Sequence, residues 1–167
     1  MTRSLRMLTR YTAWADARLF DALAALPAGV AEARREGRSA SMLSTLGHCQ
    51  VVDLIWQANL EGRAHGFESR QMAALPALAA LAAKQAELDR WYIARADTLA
   101  PDALDEVLPF SFVGGRAGAM SRAEMLLHVV NHKTYHRGYV AEMLYAAGQQ
   151  PPAMDLTVYL RDAAPAA

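Results

Sequence analysis

Four long stretches of helical periodicity dominate this chain and leave little room for an extended sheet. Leu5, Leu8, Thr12, Ala15, Leu19, Ala22 and Leu26 recur at spacings of three and four before Pro27 and Gly29 interrupt, which predicts a first amphipathic helix from Thr2 to Leu26. A second, capped by Ser39 or Ser41, runs to about Gly62 and carries His48, Val51, Val52, Ile55 and Trp56. Pro76 opens an alanine-rich third that reaches about Leu99 through Leu78, Leu81, Leu88 and Ile93. Ser121 with Glu124 reads as a capping box for a fourth, which extends to Ala147, where Gly148 ends it and Pro151-Pro152 prevent its resumption.

Between the third and fourth, Val107, Phe110 and Phe112 precede Gly114-Gly115 and suggest a small hairpin. Residues 155 to 161 add a short terminal turn. The expectation is an all-α four-helix bundle, since each helix must bury its apolar stripe against others. With 167 residues, 53% of them hydrophobic, the chain has the size of one domain spanning residues 1–167. The roughly 13-residue connection after Gly62, at about 3.3 Å per residue, can cross a bundle about 30 Å long. An up-down-down-up path, which would set the second and fourth helices antiparallel, is therefore feasible, although spacing alone also permits up-down-up-down.

Charge narrows the function classes. Seventeen basic residues balance seventeen acidic ones, which removes the electrostatic case for nucleic acid or an anionic membrane as partner. A small-molecule substrate or a protein partner is expected instead. Cys49 is the lone cysteine, so no internal disulfide forms and a reducing cytoplasm suits the chain. No apolar run reaches the roughly 18 residues of a membrane span. Arg3, Arg6 and Arg10 imitate a transit peptide, but they run directly into a core-forming pattern that a removable leader would not need.

The chemistry is concentrated in the fourth helix, where His128, His132 and His136 follow at intervals of four. Neighbours at i and i+4 lie about 40° and 6 Å apart on one face, whereas the outer two are about 12 Å apart and cannot share an ion. His132 and His136 fall nearer the apolar stripe of Met125, Val129, Val140 and Met143 than His128 does. His128 is accordingly expected as a packed or hydrogen-bonding neighbour. His48, among the apolar residues of the second helix, is the natural third ligand, whereas His65 falls in a connection. Three neutral imidazoles leave a coordination position open, the arrangement of a catalytic rather than a structural zinc site, and nickel or ferrous iron would accept the same donors.

The run Asn131-His132-Lys133-Thr134-Tyr135-His136-Arg137-Gly138, together with Leu46-Gly47-His48 and the opening Tyr11-Thr12-Ala13-Trp14-Ala15-Asp16-Ala17-Arg18-Leu19, resembles the DinB family. Gly148-Gln149-Gln150-Pro151-Pro152 followed by Asp155 fits the same pattern, so the resemblance spans nearly the whole chain. It implies a four-helix bundle, often a homodimer, with one divalent metal held by His48, His132 and His136. It also implies, through thiol-dependent transferases and isomerases among related proteins, a low-molecular-weight thiol as cosubstrate. Tyr135 and Tyr139 stand where many members have histidine and glutamine, which changes the pocket without removing a ligand.

The expected function is a metal-dependent transferase or hydrolase of small molecules; the rival is a noncatalytic metal- or ligand-binding dimeric bundle. No catalytic side chain beyond the ligands is assigned. Cys49 lies about 100° around the helix from His48 and is expected as a small buried hydrophobe. Trp14, Trp56 and Trp91 are expected in packing, with lining of a pocket as the alternative for Trp56, and Arg137 and Asp53 at the solvent face, with orientation of ligands or substrate as the alternative. The Glu-x-x-His signature of di-iron bundles and the His-Glu-x-x-His motif are both absent.

Overall fold

The first helix, α1 (Thr2–Ala24), turns its stripe of Leu5, Ala15, Leu19 and Leu23 inward, all but excluded from solvent. A computed structural model describes residues 2–34 and 40–163 of the chain. After α1 come α2 (Met42–Leu60), α3 (Leu78–Thr98), the single turn α4 (Pro101–Asp105), strands β1 (Val107–Ser111) and β2 (Ala117–Ser121), α5 (Arg122–Ala146) and α6 (Leu156–Asp162). The four long segments are helical, but the all-α expectation is corrected. The expected hairpin is a regular two-stranded antiparallel sheet, and two short helices join the long ones.

Local signals account for the element ends. Ser41 accepts from the Ser44 amide while the Ser44 hydroxyl accepts from Ser41, a reciprocal cap at the start of α2. Ser39, the other candidate cap, lies outside the described residues. The predicted Ser121–Glu124 box closes the start of α5, and Gly148 follows its end with φ +71°. Helix α3 begins at Leu78, two residues after Pro76. In the sheet Phe110 pairs with Gly118. A Cβ on Gly118 would lie 2.5 Å from the Phe110 ring, so only glycine lets that ring fold across the ladder.

Side-chain pairs give the directions of the long helices. Arg10 meets Asp97 near one end of α1 and α3, while Phe20 and Leu81 share an apolar cluster at the other, so the two run antiparallel. His48 faces His136 and Trp56 faces His128, so α2 and α5 are antiparallel as well. The α2–α3 pair runs in the same direction, since Gln50 donates to the Leu81 carbonyl and Arg95 to that of Leu60. One apolar cluster joins Leu5, Trp56, Phe110, Met125 and Leu126, and a second joins Leu19, Leu23, Leu46, Val140 and Met143. Between them the interior is polar.

Candidate metal centre

Helix α2 contributes His48 and helix α5 contributes His132 and His136, and one ring nitrogen from each lies within 4.8 Å of the others. His48 Nε2 and His132 Nε2 stand 3.2 Å apart. Two nitrogens bound tetrahedrally to zinc at 2.0–2.1 Å are separated by about 3.3 Å, so this spacing suits a shared ion. The three imidazoles are half-buried, where they reach solvent without dissolving in it.

The His48 ring is oriented from behind. Its Nδ1 donates to the Arg70 carbonyl at 2.9 Å, which leaves Nε2 unprotonated and aimed at the α5 pair. Gly47 makes that contact accessible. A Cβ there would meet Leu75 at 2.8 Å and the Met72 sulfur at 3.2 Å; its absence lets the connection carrying Arg70 lie against α2. The Leu46-Gly47-His48 motif therefore codes a ligand and the gap that orients it.

Electrostatics favour neutral donors. Burial, followed by the neighbouring rings of His136, His48 and His128, pushes His132 down to about 3, and burial with His48 lowers His136. Neutral imidazoles keep the lone pair that a metal requires. The Nδ1 atoms of His132 and His136 are buried without a hydrogen-bond partner, so these rings are arranged around one another rather than around protein acceptors. The donor set fits a zinc-, nickel- or iron-like divalent ion. No carboxylate belongs to it, so an ion held there would keep its full charge and favour an anionic further ligand.

The remaining histidines are placed as neighbours. His128 packs its ring 4.6 Å from Trp56 and 5.9 Å from His132, and His65 accepts the Phe67 amide in the α2–α3 connection. Tyr135 is 72% exposed and sets its ring against the edge of His136. Cys49 is buried as expected, and burial raises its pKa, which disfavours a nucleophilic thiolate.

Asp53 and Arg137 correct the sequence reading. Neither faces solvent: they are 0% and 4% exposed, within a buried ionic array. Lys133 Nζ sits 2.5 Å from Asp16, 3.0 Å from Asp53 and 2.6 Å from Asp89, and Arg137 pairs with Asp16 at 2.9 Å. Gln85 bridges Asp53 and Asp89. Three carboxylates thus face two cations beneath the histidines. The array was hidden because its members are scattered over four helices, and charged residues in a helical pattern ordinarily mark the wet face.

The sequence profile of the DinB family matches residues 1–166. "Protein DinB" of Bacillus subtilis is 27% identical over 168 residues, covering 92% of this chain and 91% of that protein. The crystal structure of a DinB-like protein from Bacillus cereus superposes with a TM-score of 0.65 at 16% identity, over 86% of this chain and 91% of that one. That likeness concerns the fold.

Proposed function

Because the chain belongs to the DinB family, we propose that it is a metal-dependent enzyme of small molecules, a thiol-dependent transferase or a hydrolase, with His48, His132 and His136 as ligands of one divalent ion. The observation that carries this reading is the convergence of three imidazole nitrogens within 4.8 Å. When bound, such an ion supplies Lewis acidity that depresses the pKa of a thiol or water beside it. The residues of the chain do the rest. Arg70 orients His48 through its carbonyl, partial burial disfavours protonation of His132 and His136, and Trp56 packs against His128, whose ring neighbours His132. The helix directions support an up-down-down-up bundle, the family resemblance supports a homodimer, and the lone Cys49 suits a reducing cytoplasm.

Metal analysis of protein purified without an affinity tag, followed by a screen of the metal-loaded chain with several thiols and electrophiles, tests the proposal. Stoichiometric metal and turnover lost in His136→Ala are expected. Full turnover in a chelated preparation would refute the metal dependence, and stoichiometric metal without turnover across the screen would favour a metal-binding bundle.

A further inference from the structure

A second cleft, of about 540 Å³, opens where the start of the α2–α3 connection faces the hairpin. Its place on α2 is set by Asn59, eleven residues beyond His48, roughly 16 Å along the axis. The packed Trp56–His128 pair stands between it and the histidine centre. Its volume lies within the range of small-molecule sites.

The lining has a one-sided chemistry. Phe67 comes from the connection and Phe110 and Phe112 from the hairpin. Phe110 and Phe112 meet edge to face at 4.9 Å, and Phe110 is backed by Trp56 at the same distance, which holds aromatic walls in fixed orientation. Asn59 also lines the cleft; it is 5% exposed, and its Nδ2 is buried without a hydrogen-bond partner. A buried amide donor left unpaired costs about 1–3 kcal/mol, a cost that an acceptor on a ligand would remove. His65 adds a donor of its own, because its Nδ1 accepts the Phe67 amide and the proton therefore resides on Nε2. Arg63 stands at the rim with its Nε donating to Glu61 at 2.6 Å, which leaves its terminal nitrogens as the donors it can offer a ligand, and among the described residues that line the cleft none is acidic.

We propose that this cleft is a second binding site, distinct from the histidine centre, for a planar aromatic carboxylate. The ring lies against Phe67, Phe110 and Phe112, and the carboxylate accepts from Asn59 Nδ2, with His65 and Arg63 on its outer side. Nothing in this assignment requires a metal, so it stands or falls apart from the proposed function.

Calorimetric titration of the full chain with 2-naphthoate and with uncharged 2-naphthamide tests it, on metal-loaded and on chelator-treated protein. Saturable binding of the acid is expected with equal affinity in both preparations, about tenfold tighter than the amide, as charge-assisted hydrogen bonds require. Asn59→Leu should weaken the acid about tenfold by removing the donor. Phe112→Ala, which trims a partly exposed ring and leaves the core intact, should weaken acid and amide alike. Absence of saturable binding up to about 10 mM, a range that includes weak small-ligand sites, would overturn the assignment. So would equal affinity for acid and amide, indifference to both substitutions, or binding confined to metal-loaded protein, which would place the acid at the histidines.

Discussion

His132 and His136 show how far a spacing reaches. Their i, i+4 separation was enough to put two imidazoles on one helix face, because helical geometry fixes that angle. How closely His48, the expected third ligand, meets them depended on packing, and its Nε2 reaches 3.2 Å from His132 where α2 lies against α5. Replacing His136 by Ala should abolish stoichiometric cobalt binding and its visible absorption while the melting temperature stays close to that of the parent. Retention of a tetrahedral cobalt spectrum would remove His136 from the ligand set. Gly47 carries the companion prediction. Gly47→Val should push Met72 and Leu75 away, carry Arg70 off His48 and weaken cobalt binding about tenfold, the lower range for losing a ligand's hydrogen-bonded support. Unchanged affinity would show that the Arg70 carbonyl does not orient the ligand. The role of Gly47 was not legible beforehand, since the side chains that crowd it come from residues 25 and 28 positions later.

At the scale of elements, punctuation was legible and burial was not. The Ser121–Glu124 box, the Gly148 stop and the hairpin around Gly114-Gly115 all stand where local sequence signals put them. Such signals work because caps and turns are satisfied by residues within a few positions. Ser121→Ala should cost about 1 kcal/mol, read as a lower urea midpoint at unchanged slope; no change would mean that β2 alone holds the start of α5. By contrast, α2 is buried on nearly every side, including Thr45, Gln50, Asp53 and Asn59. Its polar residues suggest a wet face that the structure does not have. Gln50 and Asp53 are tolerated inside because partners from α3 and α5 reach them, as the Leu81 carbonyl reaches Gln50, and as Gln85 and Lys133 reach Asp53.

The whole molecule is organised around that interior charge. Lys133 joins α5 to Asp16 of α1, Asp53 of α2 and Asp89 of α3, so one ammonium holds contacts to all the other long helices. Lys133→Met should destabilise the chain by about 3–5 kcal/mol, because it leaves buried carboxylates unpaired. Equilibrium urea unfolding measures this, and a loss under 1 kcal/mol would contradict it. With three carboxylates to two cations, one acid is poorly compensated, and burial raises Asp89 to about 6 despite Lys133. A native pKa above the unfolded value means that the folded state holds its proton more tightly, so this group's contribution falls as pH rises from about 4 to 6. Stability of Asp89→Asn relative to the parent should therefore climb across that window and level off above it; a decline would reverse the assigned direction. The sequence by itself determined the four long helices, the Ser121–Glu124 cap, the hairpin and the face shared by His132 and His136, since each follows from dihedral preference, period or capping within a few residues. Tertiary structure alone decided how closely His48, the expected third ligand, approaches the pair, that Arg70 orients it, and that Asp16, Asp53, Asp89, Lys133 and Arg137 lie inside. Those contacts join residues 22 to 121 positions apart, and whether a charged side chain meets water or a counter-charge is settled only when the helices pack.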